Sequence, residues 1–457
     1  MDHAALRETY RKANEYRKTP FLERPYFGSP GAPAQAENNA SNIWGHINGG
    51  FLFAYEYTRW WKESRALRQT AILGDWSWLN KCIVSGADAL KLLNFASVKN
   101  IERIQIGQIM YTPMVSAEGK VAIEGLTLRL AEDEYMFTQS GALAWLTKVN
   151  SVANLKNVQI EDVTPDYTCF ALQGPKAVEI LEAVTGESFA EMRFSRWRKV
   201  PILGVDTIIA RQGVTGEVGY EVMMPTSAGK GHELWAAIRD AGRDFGLREL
   251  GFKAQLVGHT ETGIATVVRD FLPDRFPRAS WKKFARLWTS QEELDALDWD
   301  ITQQLCSPAE LGWKHTINLD HEFYGREALQ READVGGPSR QLVGLIWNSD
   351  DMAELYAKQF RDEPAPPPPD LPYGQFRLSF QKVTKDGDLA GWASGATYSP
   401  TVRRMISMAR VSRALALPGT EVSVRWGGFS DEPSCQIRAE VIDLPFIKQH
   451  RKDVTIK

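Results

Sequence analysis

The 457-residue chain has little cysteine: Cys82, Cys169, Cys306 and Cys435 lie far apart and share neither a CxxC spacing nor a nearby histidine pair. That scatter speaks against a cysteine-rich zinc site and fits reduced, mostly buried thiols. Long basic runs are missing as well, and the net charge is −3, so no nucleic-acid partner is expected. No apolar stretch approaches the ~20 residues needed to span a bilayer. The opening Met1-Asp2-His3-Ala4 has mixed charge and no apolar core, so no secretory leader is expected, and the expected compartment is the cytoplasm.

What is present is the composition of a folded protein, 43% apolar and 24% charged, in a chain long enough for two to three domains. Tryptophan stands out, with 15 residues, several of them close together at Trp44, Trp60, Trp61, Trp76 and Trp78. Such residues mostly fill cores, but a cluster also makes walls for a flat aromatic ligand.

Along the chain, Gly and Pro from Gly28 to Gly50 suggest that residues 1–50 are irregular rather than a long helix. Residues 55–70 lack both and read as helix. Strand-like runs at 81–84 and 126–130 flank a helical stretch at 87–95. The pattern returns with strands at 168–172, 207–211 and 220–224 and helices at 175–185 and 232–242, predicting two α+β halves without a clear internal repeat. Some helix is expected near 290–297. The run from Pro364 to Pro369 must be extended. Because strand-like 342–347 precedes it and 422–426 and 436–442 follow, it reads as an insertion within a C-terminal β domain.

Several motifs occur in one order. Leu172-Gln173-Gly174-Pro175 and the long Arg211-Gln212-Gly213-Val214-Thr215-Gly216-Glu217-Val218-Gly219-Tyr220-Glu221 are central. Asp75-Trp76-Ser77 and Tyr111-Thr112-Pro113-Met114 precede them, and Tyr324-Gly325-Arg326-Glu327-Ala328-Leu329 and Ser394-Gly395-Ala396-Thr397-Tyr398-Ser399-Pro400-Thr401 follow. Together they span about residues 50–455 and resemble the glycine-cleavage T protein (aminomethyltransferase) superfamily. The resemblance implies a three-domain clover-leaf of the α+β class: two intertwined ferredoxin-like halves (1–335) and a C-terminal antiparallel β barrel (336–457, with a proline-rich insertion near 363–372) around a central folate cavity.

It also implies tetrahydrofolate as methyl acceptor. Gly213, Gly216 and Gly219 would give a tight turn that lets the backbone approach a ligand. Glu217 at that turn is the residue onto which the pterin-binding role carries, a solvated hairpin glutamate being the alternative. Tyr111, Gln255 and Leu79 are the other expected folate contacts. Glu124 falls where the family has a functional aspartate, and a strand-edge glutamate is its bland alternative. In 251–261 the chain departs from the family: Gln255, Leu256 and His259 stand where Arg, Asp and Arg are expected.

These departures, with the tryptophans, resemble the branch that demethylates aryl methyl ethers onto tetrahydrofolate, with syringate as the expected donor and 3-O-methylgallate as product. His259, read as titrating near neutrality, is the expected proton donor beside Glu124, with Tyr26 and Tyr57 as weaker candidates. Arg129, Trp60, Ser64 and Tyr26 are the expected contacts of a small aromatic acid, although Arg129 differs in strand parity from Glu124. No metal-ligand set is visible and none is required. An aliphatic amine or sulfonium donor, or a non-catalytic folate-binding protein, remain the alternatives.

Overall fold

The structure, a computed structural model, describes residues 2–14, 25–47, 50–277, 280, 300–369, 371–372, 380–428 and 432–453. The helix expected near 290–297 lies outside the described residues. The N-terminal segment is more regular than its composition suggests. A helix at His3–Asn14 buries Leu6, Tyr10 and Ala13. Their spacing forms one helical stripe, and the Gly and Pro punctuation begins only after it. Residues 55–59 are not helical, and the helix begins at Trp60 and runs to Gln69. Glu63 sets that boundary. Its carboxylate accepts from the backbone N–H groups of Tyr57 (2.9 Å), Thr58 (2.8 Å) and, from a distant segment, Gly251 (2.9 Å).

Two sheets dominate the first two-thirds of the chain. One is antiparallel and five-stranded, in the order Gln159–Asp162, Lys81–Ser85, Glu134–Thr138, Leu126–Ala131, Ile109–Tyr111. The other is six-stranded, in the order Arg196–Ile202, Val205–Arg211, Gly219–Pro225, Tyr167–Gln173, Ile72–Asp75, Arg248–Glu249. Ile72–Asp75 precedes every strand of the first sheet in sequence yet belongs to the second, so the halves are intertwined. Strand alternation gives each sheet two buried faces. Cys82, Val84, Tyr135 and Phe137 of the first sheet pack on helices Ala89–Ala96 and Ala142–Ala153. Tyr220, Val222 and Met224 of the second pack among Ala177, Ile180, Leu181, Leu234 and Trp235, from helices Ala177–Thr185 and Gly231–Gly242. The opposite faces meet: Ile109, Leu128 and Met136 share one cluster with Cys169, Ala171, Ile208, Ala210 and Met223. Each such large apolar side chain contributes roughly 1.5–3 kcal/mol by leaving water.

The third unit is a closed six-stranded barrel, in the order Arg340–Trp347, Arg404–Ser412, Asp388–Ser399, Gln381–Lys385, Glu421–Gly427, Ser434–Ile442. The proline run lies inside it, between the helix Ser349–Lys358 and strand Gln381–Lys385. Two of its carbonyls are held, Pro366 by Gln359 Nε2 at 2.7 Å and Pro367 by Trp426 Nε1 at 2.8 Å. After the barrel the chain returns to the second sheet. Phe446 N–H donates to Glu261 O at 3.0 Å, and His450 and Arg451 N–H both donate to Gly216 O, at 2.6 and 3.0 Å.

Candidate functional site

The glycine motif forms the expected turn, with Gly216 at φ +81°, but its glycines serve the protein's own packing. A Cβ on Gly213 or Gly219 would run into the Gln173 side chain, and one on Gly216 would meet Thr262. Gln173 in turn donates to Gln212 O (2.9 Å) and accepts from Thr215 Oγ1 (2.9 Å), so the two motifs form one interlocked unit. Glu217 is not a free carboxylate at a solvated tip. It is 5% exposed and paired with Arg68 at 3.1 Å. Arg68 also grips Glu261 (2.7 Å) and the Thr215 carbonyl, and Ser399 of the barrel donates to Glu261 at 2.6 Å. This buried network joins the second half to the barrel.

The unpaired carboxylate of the motif is Glu221, four residues further on. It lies on the sheet face turned to the other half, with Ala171 and Ala210 as its cross-strand neighbours. Two alanines beside a glutamate leave space. Glu221 keeps some accessible surface, makes no hydrogen bond or ion pair within the described residues, and is pushed up to about 7 by burial, against the opposing pull of Lys81. Sequence reading quoted this residue in the motif without giving it a role. The signal available was strand parity, which sets Glu221 and Met223 opposite the core face of Tyr220 and Val222.

Glu124 lies in the short link between strand Val121–Ile123 and strand Leu126–Ala131 of the facing sheet, whose Leu126 and Leu128 pack in the shared cluster. Gln139 Nε2 donates to its Oε1 at 2.9 Å, and burial raises its carboxyl to about 7 against the opposing pull of Tyr111 and Gln139. Burial and the nearby Glu124 raise the Tyr111 hydroxyl well above its ordinary value. The Tyr111 ring stands edge-on to Trp313, centroids 5.6 Å apart.

His259 does not titrate near neutrality. Burial and the Arg269 guanidinium push it down to about 3, and its Nδ1 pairs with Thr266 Oγ1 at 2.9 Å. Its imidazole is neutral, so the expected imidazolium donor is corrected. Arg269 lies outside every motif and was missed. It donates to Leu256 O (2.9 Å), Thr260 Oγ1 (2.5 Å) and Gly395 O (3.0 Å), bracing the His259 helix against the barrel. Gln255, on the same helix, is half-buried, and its side-chain amide makes no hydrogen bond within the described residues.

Arg129 is not in the site. Its guanidinium lies over Tyr135 and donates to the carbonyls of Ile104 (2.9 Å), Ala131 (3.3 Å) and Glu132 (2.8 Å). Strand alternation turns it to the face away from Glu124. Tyr26 is on the surface at 39% exposure against His46, and Tyr57 is buried with Trp235 in the core of the second half. Trp60 and Leu79 do pack against the shared cluster, with Trp76 and Trp78 inside it. Ser64 is buried and its hydroxyl has no partner. A cation that sequence reading missed is Arg451, on the returning C-terminal segment. Its guanidinium lies 5.7 Å from the Phe194 ring and electrostatically near Tyr111, with Nε buried and unpartnered.

Residues 38–279 match the family model of the GCVT N-terminal domain, and 378–448 that of the glycine cleavage T-protein C-terminal barrel domain. The chain belongs to the glycine cleavage T-protein family. A sesamin methylene transferase from a Sinomonas species is 29% identical over 420 residues, covering 86% of this chain and 89% of that protein. A syringate O-demethylase from a Sphingobium species is 25% identical over 423 residues, with the same coverage. The solved structure of aminomethyltransferase T from Bartonella henselae superposes with a TM-score of 0.70 at 21% identity, over 93% of this chain and 99% of that one. The clover-leaf fold follows.

Membership of the T-protein family brings tetrahydrofolate as one-carbon acceptor. The donor set fits such a co-substrate. Among the described residues, Glu221 offers a carboxylate without a hydrogen-bond partner beside two alanines, Ser64 a hydroxyl without one and Gln255 a side-chain amide without one. The described residues include no helix long and apolar enough to cross a membrane.

Proposed function

We propose that this protein transfers the methyl group of an aryl methyl ether, a methoxybenzoate such as syringate, to tetrahydrofolate. The observation that carries the reading is Glu124, a carboxyl raised to about 7 near Tyr111, just before a strand of the sheet that faces Glu221 across an apolar cluster containing Trp76 and Trp78. When bound, tetrahydrofolate supplies N5 as the nucleophile. Everything else is positioning and proton control. Glu221 accepts from the amino-pyrimidine edge of the pterin, a role that passes to it from Glu217 because Arg68 already occupies the latter. The tryptophans and Leu79 hold the donor ring flat, and well-oriented partners reach effective molarities of ~10⁵–10⁸ M.

Phenolate is a poor leaving group, and a placed acid contributes ~10²–10⁴-fold. Glu124 is half protonated near neutral pH and takes that part. Its proton would go to the ether oxygen as the C–O bond breaks and the N–CH₃ bond forms, and the proton lost from N5 would return to the Glu124 carboxylate, so that the step balances. Arg451 replaces Arg129 as the cation for the donor carboxylate. The activity belongs to soluble aromatic catabolism on this reading, with a small aromatic acid as the partner.

A second reading is favoured by the similarity to the sesamin methylene transferase. The donor is then a methylenedioxyarene, and the carbon arrives at the methylene level. One experiment separates them: incubation with tetrahydrofolate and each donor class, followed by mass spectrometry. 5-Methyltetrahydrofolate with a methoxybenzoate supports the first reading and 5,10-methylenetetrahydrofolate with a methylenedioxyarene the second. Product from aliphatic amines alone, or tight folate binding without turnover, overturns both.

A further inference from the structure

Lys81 is 1% exposed, in the loop-to-strand junction where the chain crosses from the second sheet to the first. Its Nζ meets three carbonyls, Leu79 at 2.7 Å, Ser77 at 3.3 Å and Trp76 at 3.4 Å. An ammonium has three N–H donors and a neutral amine two, so three carbonyl acceptors select the charged form. A buried cation bonded only to neutral dipoles is costly unless an anion lies within reach.

The crossover loop is tied to the strand beside Glu221. Trp76 N–H donates to Cys169 O at 2.9 Å, and Ser77 Oγ accepts from Cys169 N–H at 3.0 Å. Cys169 and Ala171 lie opposite Met223 and Glu221 on the neighbouring strand. Burial draws Lys81 below its ordinary value, and the charged and titratable groups around it that oppose this are Cys169, Glu221, Asp75 and Asp162. Two of these are otherwise engaged. Asp75 accepts from Ser29, Gln35 and Ser77 N–H, and Asp162 accepts from Tyr10 and Thr164. The Cys169 thiol is held protonated by burial. Among the described residues Glu221 alone has no other partner, and Lys81 is the one charge there that acts on it.

We propose that Lys81 is a positioning residue: its ammonium, clamped by the Trp76–Leu79 loop, is the fixed counter-charge that lets the buried carboxylate of Glu221 ionise and so hold folate. This rests on the folate role of Glu221 above. It also couples the two walls of the site, because the residue that charges Glu221 is the one that fixes the loop carrying Trp76, Trp78 and Leu79.

The test is tetrahydrofolate affinity measured anaerobically between about pH 5 and 9. In the wild type affinity rises with pH as Glu221 ionises. Lys81→Gln is expected to move the midpoint of that rise upward by ~1 pH unit, while Lys81→Arg keeps it. A purely structural lysine would instead weaken binding equally at every pH, and an unmoved midpoint in folded Lys81→Gln overturns the proposal. Should Lys81→Gln not fold, recovery of folding in the Lys81→Gln/Glu221→Gln double variant supports the charge pair, and failure of the double variant to fold overturns it. Glu221→Gln separates this inference from its premise. If that variant binds folate with wild-type affinity and pH profile, the folate role of Glu221 fails; if it loses both while Lys81→Gln is unshifted, the Lys81 inference fails alone.

Discussion

Arg68 and Glu217 form a buried ion pair 3.1 Å apart, their side chains 8% and 6% exposed. Because Arg68 also binds Glu261 at 2.7 Å, one guanidinium offsets two buried carboxylates. Arg68→Ala would strand both, and breaking a buried pair from one side costs ~3–5 kcal/mol. Glu217→Gln leaves the Arg68–Glu261 contact in place and should cost under about half of that. Denaturant unfolding of the two variants checks the order. Equal stabilities would mean that the network carries no load.

The same pair predicts which glutamate binds folate. Glu221→Gln should weaken tetrahydrofolate binding by ~10–100-fold, in line with the loss of charge-assisted hydrogen bonds worth about 1.5–3 kcal/mol. Glu217→Gln, acting through the turn, should change it less than fivefold, or about 1 kcal/mol. Calorimetric titration of both variants reads the difference directly, and the reverse order would return the pterin role to Glu217.

The sequence was most informative where order and periodicity carry the signal. Motif order located the clover-leaf, and alternation at 168–172 and 220–224 located the strands of the second sheet to within two residues. Alternation also warned against Arg129. What stayed hidden were long-range pairings. Nothing local says that Arg68 occupies Glu217, that Arg269 lies beside His259, or that Arg451 comes back from the C-terminus to Tyr111. The His259 reading failed for the same reason. A histidine's titration is set by burial and by neighbours supplied from other segments. The helix at 3–14 was missed because the composition of the next 36 residues coloured the whole stretch.

Stability should depend on pH through the raised carboxyls. Glu124 and Glu221 are both lifted from 4.5 to about 7, and burial is the leading cause for each. A folded-state value above the unfolded one means that the native protein holds the proton more tightly. The contribution is complete below about pH 4.5 and is lost as pH rises through about 7. Folate-free protein should therefore melt at lower temperature at pH 8 than at pH 5.5. Replacing both residues by Gln should flatten that slope, each change being worth on the order of 2 °C. A melting temperature that rises across this window in the wild type and is unaltered in the double variant would count against the buried placement of both groups.

Turnover should distinguish Glu124 from His259. With its imidazole held neutral by burial and Arg269, His259 carries no acidic imidazolium proton to deliver at working pH. His259→Gln, which retains a donor for Thr266, should lower kcat by less than ~10-fold. Glu124→Gln removes the acid and should lower kcat by ~10²–10⁴-fold with little change in folate affinity. The wild-type rate at saturating co-substrate should fall as pH rises through about 7, where the Glu124 carboxyl loses its proton. That alkaline limb should vanish in Glu124→Gln and persist in His259→Gln. If it vanishes in His259→Gln instead, the proton comes from the histidine after all, and burial has not silenced it.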